Sequence, residues 1–162
     1  MTLTIISLAI FLIYLVGIIH FFGIPYSISD TYYLLERRSK NLEWIFTAMC
    51  WTVTGFLIPD WFDITSDKLQ FTVFFSCAGL LFVGTAPQFK LPLTKTVHYS
   101  AAAICCTFSQ IWVIFSGMWY LSFISFAIFL TIAYKYKRWM FWIEIAAFTA
   151  TYAGVLIKYI MQ

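Results

Sequence analysis

Six apolar runs, each about as long as a membrane span and separated by short polar links, limit this chain to very few folds. They cover residues 3–22, 42–59, 69–87, 97–116, 118–134 and 139–160. Crossing about 30 Å of hydrocarbon takes roughly 20 apolar residues in a helix. At that length only a helix satisfies its own backbone in lipid, so all six runs are expected to be α-helical. Only 10% of the 162 residues are charged, against about 25% in a soluble domain. The expected fold is therefore an all-α integral membrane protein, a single six-span domain over residues 1–162. The first run has no basic leader and no small-residue cleavage site after a short apolar core, which reads as a retained span and not a signal peptide. The fourth and fifth runs break only at Gly117, so they should form a tight antiparallel hairpin.

Charge sets the expected orientation. Arg37, Arg38, Lys40, Lys90, Lys95, Lys135, Lys137 and Arg138 fall in loops 23–41, 88–96 and 135–138, or at their edges. The other side carries Lys68 and Lys158 with Asp60, Asp63 and Asp67. The positive-inside rule puts the basic loops in the cytoplasm and both termini outside. Tyr32, Tyr33, Tyr99, Tyr134, Tyr136, Trp139 and Trp142 would form the inner aromatic belt, with Trp61, Trp119 and Tyr120 in the outer one. A net charge of +3 is too mild to argue for nucleic acid. The basic rim meets the requirement for anionic headgroups, although topology setting alone explains it. Cys50, Cys77, Cys105 and Cys106 lie in apolar runs without a C-x-x-C, as small hydrophobes rather than a redox centre.

Polar residues below the headgroups carry the functional information, because a charge near the bilayer centre costs about 3 kcal/mol on insertion scales. Glu144 lies five residues into the sixth run, about 7.5 Å deep, above a face of Ala147, Thr151 and Val155. It reads either as a site carboxylate or as a carboxyl bonded to a neighbouring helix. His98 heads a small-residue stripe of Ala101, Ala102, Cys105 and Ser109. It reads as a site group or as an imidazole donating to a carbonyl. His20 has the same two readings, and Gln110 reads as an interhelical hydrogen bond. Ser29 and Asp30, with Ser27 and Gln88, complete a polar set on one side of the membrane.

Locally, the stretch 24-IPYSISDTYYLLERRSK-40 reads as a helix start. Ser27 and Asp30 have the spacing of a capping box, in which the carboxylate reaches back to a free amide, and Ser29 is an alternative cap. An interfacial helix should follow. His20, His98, Asp30 and Glu144 are donors that zinc accepts. No H-x-x-x-H or H-E-x-x-H motif joins them, so no metal or other cofactor is expected. No nucleophile motif or phosphate loop is visible either, which leans against an enzyme.

The order of these motifs resembles the DRAM-like (damage-regulated autophagy modulator) family. Ser27-Ile28-Ser29-Asp30-Thr31 follows the first run, and 83-VGTAPQF-89 closes the third. His98-Tyr99-Ser100-Ala101-Ala102 opens the fourth, and Glu144 stands early in the sixth. The family includes a GPI-lipid remodelling factor and fungal regulators of phosphoinositide signalling, and small bacterial six-span proteins of unknown function look similar. The chain departs at Gly84-Thr85-Ala86-Pro87-Gln88-Phe89, where the family has G-N-F-Q. The family also places the first loop on the outer face, opposite to the charge count here. The resemblance implies a lipid-related membrane role with Ser29, Asp30, His98 and Glu144 as a shared polar cluster. The expected partners are membrane lipids, with a second copy or another membrane protein as a further partner. The alternatives are an intramembrane metal-dependent hydrolase or lipid transferase, and a small proton-coupled transporter titrating at Glu144.

Overall fold

The computed structural model describes residues 1–86 and 93–161. Among them every regular element is helical: α1 (Thr2–Phe22), α2 (Thr31–Arg38), α3 (Trp44–Asp63), α4 (Gln70–Thr85), α5 (Leu93–Val113), α6 (Trp119–Tyr136) and α7 (Trp139–Ile160). A 3-10 turn, Asp67–Leu69, leads into α4, and one turn of π-helix, Ile114–Met118, joins α5 to α6. Five helical stretches are long and apolar enough to cross a membrane, and one of them, Thr96–Tyr136, runs through this π-turn. Gln88, Lys90 and the turn after Ala86 lie outside the described residues.

The chain reverses at Gly117. Its φ of 83° is a left-handed conformation that an L side chain resists. Beyond it, the Ser122 hydroxyl donates to Oε1 of Gln110 at 2.8 Å. Twelve residues along a straight helix would separate these groups by about 18 Å, so α6 folds back along α5. The interfacial helix expected after the first run is α2. Helix α3 goes further than its apolar run and continues through Pro59 to Asp63. The ring of Pro59 normally clashes with the carbonyl one turn back. That residue is Gly55, whose missing side chain leaves nothing within 4 Å.

The core is apolar, as in a water-soluble bundle, but so is much of the exposed surface. Ile13, Val16, Phe21, Phe115 and Phe123 stand exposed, while Thr4, Ser7, Thr47, Thr72, Ser76 and Ser125 are buried. Thr72 bonds the Leu69 carbonyl at the start of its own helix, but several of the others join helices. Ser7 donates to the Val53 carbonyl at 2.8 Å and shares a 2.7 Å bond with the Tyr152 hydroxyl, tying α1 to α3 and α7. Thr47 donates to the Gly84 carbonyl, Ser76 to that of Cys105 and Ser125 to that of Ala146. In lipid, where apolar burial between helices has little driving force, such bonds and close backbone packing hold a bundle together. Two residues expected in the aromatic belts are instead buried by this packing. Tyr32 lies edge-on to Phe46 on the face of α2 that meets α3, and Trp61 lies edge-on to Trp112.

The closest helix approach is at Gly79, on the interface of α4 with α5. A Cβ there would sit 2.7 Å from the Ala101 carbonyl oxygen and 2.8 Å from the Cys105 nitrogen. Both are backbone atoms that cannot step aside. Gly79→Ala is expected to destabilise the bundle by about 1–3 kcal/mol through overpacking. Gly55→Ala, with open space around it, should be tolerated. Thermal melting of the two purified variants in one detergent checks the contrast.

Candidate functional site

At the end of the bundle that carries α2, the loop between α1 and α2 docks on the first turns of α7. Phe141 N–H, an amide without an intrahelical partner, donates to the Tyr26 carbonyl at 3.0 Å. One turn further on, Oε2 of Glu144 accepts the backbone N–H of Ile28 at 2.6 Å. Pro25, Ser27 and Ile28 are buried beneath this contact. Ser27 Oγ accepts Asp30 N–H at 3.0 Å and lies 3.0 Å from Ser29 Oγ. Thr31 donates to the Ile28 carbonyl and shares a very short hydrogen bond with the Tyr14 hydroxyl, fixing α2 to α1.

Half of the expected capping box is therefore formed, since Ser27 caps the amide three residues on. The other half is not made by Asp30. The side chain of Asp30 is half-buried and has no hydrogen bond among the described residues. The carboxylate that answers the loop's amide is Glu144, 116 residues later. Asp30 instead holds the start of α2 through its carbonyl, which accepts Tyr33 and Leu34 N–H.

Glu144 and Ser29 line one wall of an interior cavity of about 30 Å³, closed by Phe46, Cys50, Val83 and Cys106. A second cavity of similar volume lies deeper, lined by Thr54, Ser76, Cys77, Ser109, Thr151 and Tyr152. The two share Leu80, Cys105, Cys106 and Phe148. All four cysteines are free thiols on these walls. Each cavity has room for a water, which needs roughly 10–15 Å³.

His98 reaches a neighbour of this cavity but not the carboxylates. It hydrogen-bonds the backbone of Val83, a cavity residue. Of its predicted stripe, Ala101, Cys105 and Ser109 are buried and Ala102 is half-buried. His20 is exposed at the end of α1, edge-on to Phe21. No group of three His, Cys, Asp or Glu converges at metal-binding distance among the described residues. Glu144 thus bonds the amide between Ser27 and Ser29, which bond each other, and neither Asp30 nor His20 joins this contact.

Gln110 is the interhelical hub expected of it. Its Nε2 donates to the Ala147 carbonyl at 3.1 Å and contacts Thr151 Oγ1 at 3.3 Å, while its Oε1 accepts Ser122. The face below Glu144, comprising Ala147, Thr151 and Val155, is buried as expected.

A second carboxylate joint lies at the opposite end. Asp60 accepts Thr4 N–H at 2.8 Å and Thr4 Oγ1 at 2.9 Å, with the Met1 amino group 2.7 Å away. Sequence reasoning treats Asp60 only as a loop charge. The available signal is Thr4, Ser7, Phe11, Tyr14 and Ile18, which share one helix face and are all buried. Polar residues spaced along one face of an apolar helix mark the side that meets protein.

No family model, curated protein or solved structure matches this chain.

Glu144→Ala should release the loop at a cost of about 1.5–3 kcal/mol, the range for a hydrogen bond to a charged group. Glu144→Gln, which keeps an acceptor, should lose less. Thermal melting together with amide hydrogen exchange at residues 26–30 reads both effects. Gln110→Leu should cost about 1–3 kcal/mol by stranding the Ser122 hydroxyl. It should leave exchange at residues 26–30 unchanged, which separates the hub from the loop contact.

Proposed function

We propose that this chain is a six-span integral membrane protein that engages anionic lipid headgroups at the cytoplasmic leaflet in a regulatory or lipid-organising role. Six spans follow from counting α5 and α6 as separate crossings, which the reversal at Gly117 supports. The positive-inside rule then places the basic end in the cytoplasm and both termini outside.

The observation that carries the reading is the exposed rim at that end. Arg37 and Arg38 at the end of α2, Lys40 just after it, Lys135 in the last turn of α6, and Lys137 and Arg138 between α6 and α7 are all exposed. Among them stand exposed Tyr26, Tyr33, Tyr134, Tyr136 and Trp139. The bonds Phe141–Tyr26 and Ile28–Glu144 tie the two basic segments to each other. Basic side chains at a membrane surface attract anionic lipid by about 1 kcal/mol each, and aromatic rings suit the headgroup level. The motif order shared with the DRAM-like family supports the same lipid-related role.

In this reading Glu144 and Ser29 shape the rim from within and do not themselves bind headgroups. The cavity beside them takes water and is too small for a headgroup. The separation of His20, His98, Asp30 and Glu144 gives a zinc-dependent hydrolase no support among the described residues. Among the described residues, interior voids of about 30 Å³ lend a solute carrier no support.

Native mass spectrometry of the purified protein with phosphatidylserine and phosphatidylcholine tests the proposal. Wild type should retain the anionic lipid preferentially. Replacement of Arg37, Arg38, Lys135 and Lys137 by Gln should remove that preference. Equal retention of both lipids by wild type would sink the reading.

A further inference from the structure

The exposed surface carries a third and larger hollow. Trp51 of α3 and Leu81, Phe82 and Thr85 of α4 line an apolar groove of about 330 Å³, an order of magnitude more than either interior cavity. Its walls face outward, since Trp51 and Phe82 are each about half exposed, at 50% and 52%. The groove exists because α3 and α4 meet there through a glycine. A Cβ on Gly84 would come within 2.7 Å of Cys50 Cβ and 3.5 Å of Trp51 Cδ1. The Thr47–Gly84 bond beside it fixes the spacing of the two helices.

The groove lies on the half of α3 nearer the basic rim. The exposed face of α3 runs through Trp44, Ala48, Trp51 and Gly55 at helical spacing, so Trp51 and Trp44 share a side of the helix. Trp44 is two turns, about 10 Å, nearer the basic end. Lys40, exposed, stands four residues before the first residue of α3. Half the hydrocarbon thickness is about 15 Å, so a chain lying in the groove has its head at the level of Trp44 and Lys40.

We infer that the α3–α4 groove is a binding site for one acyl chain of an anionic phospholipid, with its headgroup against Lys40 and the α2 arginines. This rests on the lipid-engaging role proposed above and gives it a location. The occupant is a lipid because the groove opens toward hydrocarbon, is walled almost wholly by apolar side chains, and leads to the positive charge that selects the headgroup. Gly84 lets α3 and α4 come close beside the groove, and the Trp51 indole forms one wall.

The test uses the full chain in nanodiscs with photoactivatable phosphatidylserine or phosphatidylcholine carrying the reactive group mid-chain, and crosslinks mapped by mass spectrometry. The serine lipid should label Trp51 and Phe82 in preference to Ile13 of α1 and Phe123 of α6. The choline lipid should label all these positions evenly. Filling the groove with Leu81→Trp or, independently, Thr85→Trp should lower the groove label about tenfold, the change expected from loss of one well-buried apolar contact. Far-UV circular dichroism and gel filtration certify that at least one filled variant is folded. Even labelling of all lipid-facing helices by the serine lipid would overturn the inference. So would a groove label that survives in the folded filled variant, or a disulfide between two copies formed through Trp51→Cys that excludes the lipid. Failure of the proposed function looks different. The rim variants would then bind anionic lipid as wild type does, whatever the groove label shows.

Discussion

A buried backbone amide that no helix can use is the constraint around which this molecule is arranged. Ile28 lies between two helices and is buried. Its N–H has no partner in α1 or α2, and an unpaired buried amide costs as much as a lost hydrogen bond. Glu144 supplies the acceptor. That one contact fixes the loop between α1 and α2, sets the position of α2 against α1 and α3, and brings the basic segment near Arg37 toward the one near Arg138. The opposite end repeats the device, with Asp60 accepting the first-turn amide of Thr4. Glu144 and Asp60 are thus placed where backbone geometry leaves donors over.

Between these two ends the same accounting runs through hydroxyls. Ser7, Thr47, Ser76 and Ser125 each donate to a carbonyl on a neighbouring helix. Gln110 spans three helices by donating to α7 and accepting from α6. Small residues let the backbones come close enough for this, most severely at Gly79. The outer surface needs no such pairing and carries large apolar side chains, broken by the groove beside Gly84. The rim and the groove both follow from interior packing: hydrogen bonds between helices fix them, and their spacing shapes the exposed surface.

Much of this was legible in the sequence because the signals are local. Run length and the helix requirement foretold the helices, and Gly117 foretold the reversal. The spacing of Ala147, Thr151 and Val155 below Glu144 foretold a buried face. Gln110 as an interhelical bond followed from its depth. What was not legible depends on pairs distant in the chain. The capping pattern around Ser27 pointed to Asp30 for the second half of the box, and nothing local reveals that Glu144 takes that place. Grouping His98 with Asp30 and Glu144 followed from their shared side of the membrane, but a shared side is a coarser statement than a shared contact, and His98 is engaged with Val83. Trp61 and Tyr32 were assigned to the belts by position along the chain. Their burial depends on which face of α3 and α2 turns inward.

The Ile28–Glu144 bond also has a consequence for the order in which the molecule can be completed. The chain is made from its N-terminus, and the acceptor for this amide comes 116 residues after the donor. While α3 to α6 are being added, the loop after α1 has no carboxylate to hold it, and Phe141 is not yet there to bond Tyr26. The last helix closes the first loop. Until α7 arrives, the growing protein has an unfinished seam at its basic end, so a chaperone or insertion factor that recognises incomplete bundles would find its target there.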